Sequence, residues 1–295
     1  MQYYRRTARL AALASGLLMT MACAAHAAPA SAPATPTAAP ATPDARGRAV
    51  LKAQLAALDD KQAFAATFAA NATVLSPSGA NEVHESDSHA TSAISGLNPH
   101  AEIRSATFDH FTSGSVGQVA WFAADLHVTI ESHEPESPAS TSTRTVHAIE
   151  LLDGANGWKV TVAAFTRVGP MNPDGACNIR DATEIGPLTK LLLSPTAISG
   201  ALGEGAIVYG TEPAERGLGT KDAKALLAKW KNLTITLDTP AEVHEVRGKT
   251  YGYTMANIYI ATKHGSPPYR LNAFLLALPA ADGTWSVIGT SFGAL

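Results

Sequence analysis

The sequence contains only two cysteines among 295 residues, Cys23 and Cys177. This scarcity excludes a fold that is cross-linked by several disulfide bonds. If the N-terminal segment with Cys23 were removed, Cys177 alone could form no intramolecular disulfide. The chain also lacks a basic excess, because 22 Lys and Arg stand against 25 Asp and Glu. This charge balance gives no indication of nucleic acid or an anionic membrane as a partner.

Several motifs that are typical of catalytic or cofactor-binding sites are absent from the sequence. The chain has no G-x-S-x-G nucleophile turn. His84, Glu85 and His89 form H-E-x-x-x-H rather than the H-E-x-x-H of zinc proteases. The glycine-rich residues 200–210 lack the Lys-Ser/Thr of a phosphate-binding loop. We therefore expect no metal and no cofactor.

The N-terminus has the features of a bacterial signal peptide. Arg5, Arg6 and Arg9 precede the apolar residues 10–22, which are too few to span a bilayer, and Ala25-His26-Ala27 is a cleavage site. We predict a Sec signal over residues 1–27, with twin-arginine and lipoprotein routes as alternatives, and a periplasmic or secreted protein without a transmembrane segment after cleavage.

Residues 28–44, APASAPATPTAAPATPD, are rich in alanine and proline. Such a segment cannot bury a core, so we predict an extended tether between the signal peptide and the folded part.

The remaining chain contains a pattern that occurs twice. VAWFAADLHVTI at residues 119–130 aligns without a gap with YGYTMANIYIAT at residues 251–262. The strands that follow each copy are also similar. The alignment pairs Trp121 with Tyr253, Asp125 with Asn257, His127 with Tyr259, His147 with Asn272, Trp158 with Trp285 and Phe165 with Phe292. We predict two tandem domains, residues 45–167 and 184–295, joined by a linker of residues 168–183.

In each half, segments whose apolar residues have helical spacing come first. Segments in which apolar residues recur with a period of two, as in strands, follow them. In the first half the patterns predict helices over 46–58 and 61–70 and strands over 71–75, 102–111, 118–130, 144–152 and 158–166. In the second they predict helices over 187–193, 195–202 and 221–231, and strands over 206–209, 233–237, 241–246, 251–262, 269–278 and 285–292. Thr220 or Asp222 is expected to cap the helix over 221–231. This order indicates an α+β fold.

The arrangement resembles the NTF2-like superfamily, and within it the SnoaL-like and DUF4440-like branch. The resemblance is carried by residues 63–79, 119–130 and 150–166, and in the second copy by residues 205–210 and 250–292. It implies a cone-shaped domain, with a curved, mostly antiparallel sheet around helices and a pocket at the open end. Because members often pair sheet to sheet, two copies in one chain suggest an internal pseudo-dimer.

Alternate residues of a strand share a face. One face of the strand over 119–130 is uniformly apolar, whereas the other carries Trp121, Asp125 and His127. If the mixed face lines the cone, it resembles the pockets of steroid isomerases and polyketide cyclases, in which an Asp acts as the base. Asp125 would then be the base, with His127 and His147 as hydrogen-bond partners and Trp121 as a wall.

The alternative is a polar network of Asp125, His127 and Arg144 on the outer sheet face or between the domains. The second copy has Asn257 and Tyr259 where the first has Asp125 and His127, so it has no equivalent base. It could still bind an apolar ligand through Tyr253, Tyr259 and Asn272.

Two functions follow. The first is a non-catalytic exported protein that binds a small apolar molecule or an envelope protein. The second is an isomerase, cyclase or hydrolase that acts through Asp125 in the first domain alone. Of the two, the sequence favours the first.

Overall fold

Two mixed β-sheets and several α-helices form the part of the chain that the computed structural model describes, residues 41–77, 79–84, 93–94, 101–133, 138–171, 185–238, 243–262 and 268–295. The first sheet and its helices come from α1 Pro43–Ala56, α2 Lys61–Ala65, β1 Phe68–Ser76, β2 Gly79–His84, β3 Ala101–Val116, β4 Val119–Ser132, β5 Ser140–Asp153 and β6 Lys159–Arg167. Its strand order is β2-β1-β6-β5-β4-β3. β1 is parallel to β6, and the other neighbours are antiparallel.

The second sheet has a closely similar organisation. Its elements are α3 Pro187–Leu192, α4 Pro195–Ala201, β7 Leu202–Tyr209, β8 Arg216–Leu218, α5 Thr220–Lys229, β9 Leu233–Leu237, β10 Val243–Arg247, β11 Gly252–Thr262, β12 Tyr269–Pro279 and β13 Trp285–Ala294. The strand order is β10-β11-β12-β13-β7-β8, and β9 also pairs with β11. Again the first strand, β7, is parallel to the last, β13. The fold is therefore α+β.

The strand registers of the two sheets are the same at the positions that the sequence alignment pairs. Asp125 lies opposite His147 between β4 and β5, and Asn257 lies opposite Asn272 between β11 and β12. In the next ladder of each sheet, Ala148 lies opposite Phe165, and Ala273 lies opposite Phe292.

Three apolar layers hold these elements together. Helices α1 and α2 cover one face of the first sheet, where Leu51, Phe64 and Phe122 are buried. Helices α3 to α5 cover one face of the second sheet in the same way. The third layer lies between the sheets, where Trp121 and Ile149 of the first pack with Met255 and Phe274 of the second. Each sheet is thus covered on both faces, within one compact unit, Ala41–Leu295.

Four sequence predictions need correction. Helix α2 ends at Ala65 rather than residue 70, because Phe68 already begins the β1 ladder with β6, although its ring still contacts Phe64 at 5.3 Å. Neither Thr220 nor Asp222 caps α5: Gly219 is the N-cap residue, without a side-chain hydrogen bond. The Thr220 hydroxyl instead donates to the Gly203 carbonyl.

The third correction concerns Ala148, Glu150 and Leu152. The alternation of side chains around them predicts a strand with one face exposed to solvent. All three are buried, because this face of β5 lies in the layer that α1 covers. The fourth concerns residues 216–218, for which the sequence patterns predict no strand: they form β8, whose three residues are too few to produce a periodic signal. The signal peptide, most of the tether, the H-E-x-x-x-H motif beyond His84, and Cys177 lie outside the described residues. No helix in the described part is long and apolar enough to span a membrane.

Candidate functional site

Asp125 lies in the layer between the two sheets and does not face the helices that cover the first sheet. It follows Trp121 and Ala123 on the face of β4 that packs against the second sheet, and its side chain is 1% exposed. The apolar face of β4, with Phe122 and Leu126, is the one that α1 and α2 cover. The mixed face therefore meets the neighbouring sheet instead of lining a cone.

Both oxygens of the Asp125 carboxylate are occupied. The Oδ1 atom lies 2.8 Å from Nδ1 of His147, which is opposite it in the ladder. The Oδ2 atom accepts from Arg216 Nη1 at 2.6 Å and lies 3.3 Å from His110 Nδ1. Because Arg216 belongs to β8 of the second sheet, this ion pair joins the two halves of the chain.

Burial by itself raises the pKa of Asp125, but hydrogen bonds and charge from His147 and then Arg216 outweigh it, so the pKa lies below its ordinary value. The carboxylate is ionised, and His147 Nδ1 must carry the proton that it donates. The other ring nitrogen of His147 is buried without a hydrogen-bond partner among the described residues. The His147 ring stacks on Tyr209 of the second sheet, with ring centroids 4.0 Å apart.

A bulge in β3 brings further polar groups to this cluster. The register of β3 shifts between Asp109 and Thr112, and His110 has a φ of 45°, an uncommon conformation for a residue with a side chain. His110 Nδ1 lies 2.7 Å from Asp109 Oδ1, and His127 Nε2 lies 3.2 Å from Asp109 Oδ2. His127 therefore contacts Asp109 at the exposed rim, whereas His147 contacts Asp125.

Asp109, His110 and Asp125 present ligand atoms within 4.8 Å of one another, which is close enough for a metal ion. However, the Arg216 guanidinium already approaches two of them, at 2.6 Å from Asp125 Oδ2 and 3.3 Å from His110 Nδ1. A cation placed here would meet a fixed positive charge. The cluster fits an ion pair better than a metal site.

The other residues predicted to line a ligand pocket mostly lie between the sheets. Tyr253 donates from its hydroxyl to Thr73 Oγ1 of the first sheet at 3.0 Å, and Asn272 Nδ2 donates to the Ser76 carbonyl at 3.2 Å. Trp121, His147, Asn257 and Tyr259 are buried. Arg144 is the exception, because it lines a groove near the start of β5.

A pocket of about 210 Å³ lies on the helix-covered face of the second sheet. Its walls are mainly apolar, and none of the predicted pocket residues belongs to it. It is lined by Met171, Gly210, Thr211, Glu215, Trp230, Leu233, Ile235, Ile260, Tyr269, Leu271 and Phe292. The period of two in β11 and β12 could have assigned Ile260 and Leu271 to one face, but no local signal marks that face as the wall of a cavity.

Glu215 is the charged member of this lining. Its Oε2 atom accepts from the backbone N–H of Thr211 at 3.1 Å and of Glu212 at 3.3 Å, and its Oε1 atom accepts from Trp230 Nε1 at 3.2 Å. These three donors fix the carboxylate and the indole together. A Cβ atom at Gly210 would lie 2.3 Å from Glu215 Oε2 and 2.7 Å from Trp230 Cζ2, so only glycine fits beside them.

An adjoining groove of about 520 Å³ shares Met171 and Thr211 with the pocket. Its polar residues come from both halves of the chain. It is lined by Thr143, Arg144, Thr145, Arg167, Val168, Gly169, Pro170, Met171, Thr211, Glu212 and Pro213. Burial, followed by the charge of Arg167, lowers the pKa of the Arg144 guanidinium.

The chain was also compared with known proteins. No family model matches the sequence, and no curated protein matches it. Solved structures that are similar to parts of it include a candidate Ca/calmodulin-dependent kinase II association domain from Exiguobacterium sibiricum, with 12% identity, a TM-score of 0.36 and coverage of 45% of this chain and 98% of that one.

Two further similar structures are a candidate ketosteroid isomerase from Parabacteroides distasonis and an NTF2-like protein of unknown function from Pseudomonas putida. The first has 12% identity and a TM-score of 0.30, and the match covers 41% of this chain and 97% of that one. The second has 9% identity and a TM-score of 0.31, and covers 37% of this chain and 79% of that one.

Proposed function

We propose that this chain is an exported bacterial protein whose two NTF2-like domains, of the SnoaL-like and DUF4440-like kind, pack as an internal pseudo-dimer. In this proposal the protein binds a small, largely apolar molecule in the pocket of the second domain. The observation that carries the binding function is that pocket, because its apolar walls and few fixed polar groups are typical of small-molecule sites.

The pseudo-dimer is supported by contacts between the sheets at positions that the repeat makes equivalent. His147 and Asn272 are aligned by the repeat, and each contacts the opposite half: His147 stacks on Tyr209, and Asn272 donates to the Ser76 carbonyl. Reciprocal use of the same surface is what a two-fold interface requires. The N-terminal residues 1–27 support export by their sequence alone.

The contacts of Asp125 favour binding over catalysis. A general base needs a free carboxylate oxygen within reach of a substrate proton. In this protein His147 occupies one oxygen, and Arg216 with His110 occupies the other. Removing these partners would leave a buried charge unpaired, so the role that the geometry supports for Asp125 is to join the sheets.

Titration of the purified protein with N-phenyl-1-naphthylamine, a neutral apolar fluorophore, tests the pocket. We expect saturable binding that Leu233→Trp weakens at least tenfold, because an indole at the lining residue Leu233 would fill the space. Gly210→Ala should weaken binding as well, since its methyl group must displace Glu215 and Trp230.

Gly200→Ala is the matched control. It adds the same methyl group in α4, where a Cβ atom meets nothing within 4 Å. Binding should equal that of the unchanged protein. If the probe does not bind, or if it binds equally to the Leu233→Trp protein in its folded state, the proposed binding function is wrong.

A further inference from the structure

Two arginines line the groove beside the pocket, and no acid among the described residues pairs with them. Arg144 near the start of β5 and Arg167 at the end of β6 are partly buried, and neither guanidinium group has an ion pair or a hydrogen bond to another described residue. They are close enough that the charge of Arg167 acts on Arg144. Two like charges held together in a partly desolvated groove are stabilised by an anion placed between them.

The neighbouring acids do not fill that role. Glu212 also lines the groove, but its side chain is exposed and makes no ion pair within 4.0 Å among the described residues. The Glu215 carboxylate is held by the Thr211 and Glu212 backbone N–H groups and by Trp230 Nε1. Among the residues that the structure describes, the lining of the groove therefore keeps an excess of positive charge.

The arginine groove adjoins the apolar pocket through Met171 and Thr211, which line both. We propose that Arg144 and Arg167 bind the anionic head group, a carboxylate or a phosphate, of an amphiphile whose apolar part occupies the pocket of the second domain. This assignment rests on the proposed binding function and gives its ligand a chemical class. The ligand then bridges the two domains, because the arginines belong to the first.

A series of ligands with one tail and different head groups tests the assignment. Calorimetric titrations of the purified protein would use octanoate, octyl phosphate, 1-octanol and octylammonium. We expect at least one of the two anions to bind about tenfold or more tightly than octanol, since hydrogen bonds between a guanidinium and an anionic oxygen are stronger than those to a neutral hydroxyl. Octylammonium should be the weakest ligand, because the arginines repel it.

Arg144→Gln and Arg167→Gln should each reduce the affinity for the preferred anion to near that of octanol, while octanol binding stays the same. Arg48→Gln is the control with the same change in net charge: Arg48 lies in α1 and pairs with Asp44, away from the groove. It should alter none of the four affinities by more than about twofold.

The possible failures are distinguishable. Equal binding of octanol and both anions, or anion binding that ignores both arginine substitutions, overturns the head-group assignment but leaves the pocket in place. Tightest binding of octylammonium overturns the assignment in favour of a cationic ligand beside Glu215. If none of the four ligands binds, and the neutral fluorophore also fails, the proposed function falls together with this inference.

Discussion

Glu150 lies in β5 with a fully buried side chain, on the face that α1 covers. Its Oε2 atom accepts from Gln54 Nε2 at 3.0 Å, and its Oε1 atom has no hydrogen-bond partner among the described residues. Burial raises the pKa of Glu150 from 4.5 to about 8, although the Gln54 hydrogen bond acts in the opposite direction. The residue is therefore a neutral acid at pH 7, in the buried layer between α1 and the first sheet.

This raised pKa predicts how stability changes with pH. The folded protein keeps the Glu150 proton up to about pH 8, whereas the unfolded chain releases it above about pH 4.5. The contribution of Glu150 to the free energy of unfolding is therefore fully present below pH 4.5 and is lost as the pH rises to 8. The total loss is roughly 4 kcal/mol. Glu150→Gln, which is neutral at every pH, should remove this loss and raise the stability at pH 8.

Urea denaturation of both proteins at several values between pH 5 and pH 8 measures the difference. Glu204→Gln, at an exposed position at the start of β7, is the control and should keep the pH dependence of the unchanged protein. Equal slopes for the Glu150→Gln protein and the unchanged protein would contradict the prediction.

At the scale of the element, helix α3 takes its N-terminal cap from a distant strand. Gly186, its N-cap residue, provides no side-chain hydrogen bond. Glu245 of β10 instead accepts from Thr189 N at 2.9 Å and from Thr189 Oγ1 at 2.6 Å. A carboxylate at a helix N-terminus binds free N–H groups and the positive end of the helix dipole, so this contact fixes α3 to the second sheet.

Glu245→Ala should therefore lower the free energy of unfolding by about 1–2 kcal/mol, in the range of lost helix caps. Hydrogen exchange should also become faster in α3, because its first turn loses an acceptor. His244→Ala, on the exposed side of the same strand, is the control and should change neither measurement. Exchange in α3 that is the same in all three proteins would show that the cap is not needed.

At the scale of the whole molecule, the layer between the sheets predicts that the two halves unfold together. Buried apolar side chains from both sheets fill it, and Asp125–Arg216 crosses it as an ion pair. An apolar interface of this kind favours cooperative unfolding of the two sheets.

Phe274→Ala tests this coupling, because Phe274 belongs to the second sheet and is fully buried in the shared layer. The cavity should cost about 3–5 kcal/mol. Hydrogen exchange should become faster in β4 of the first sheet as well as in β12. Val246→Ala, at an exposed position of β10, should leave both strands protected. Faster exchange confined to the second sheet would mean that the halves unfold separately.

The sequence by itself determined the α+β order of elements and the long strands. Long runs such as residues 251–262 combine strand-forming residues with a period of two, and these are local properties. The same runs predicted that Asp125 and Asn257 occupy equivalent positions, and the registers agree with this. The resemblance to isomerase pockets suggested His127 and His147 as partners of Asp125; His147 contacts Asp125, whereas His127 contacts Asp109.

Only the tertiary structure decided what each strand face meets. Alternation divides β4 into two faces, but it does not say which lies under helices, and both are buried here. Arg216 reaches Asp125 across 91 residues, from a strand too short to be recognised in the sequence. The pocket and the Arg144–Arg167 groove likewise combine side chains from separate elements, and such assemblies depend on packing that no local pattern encodes.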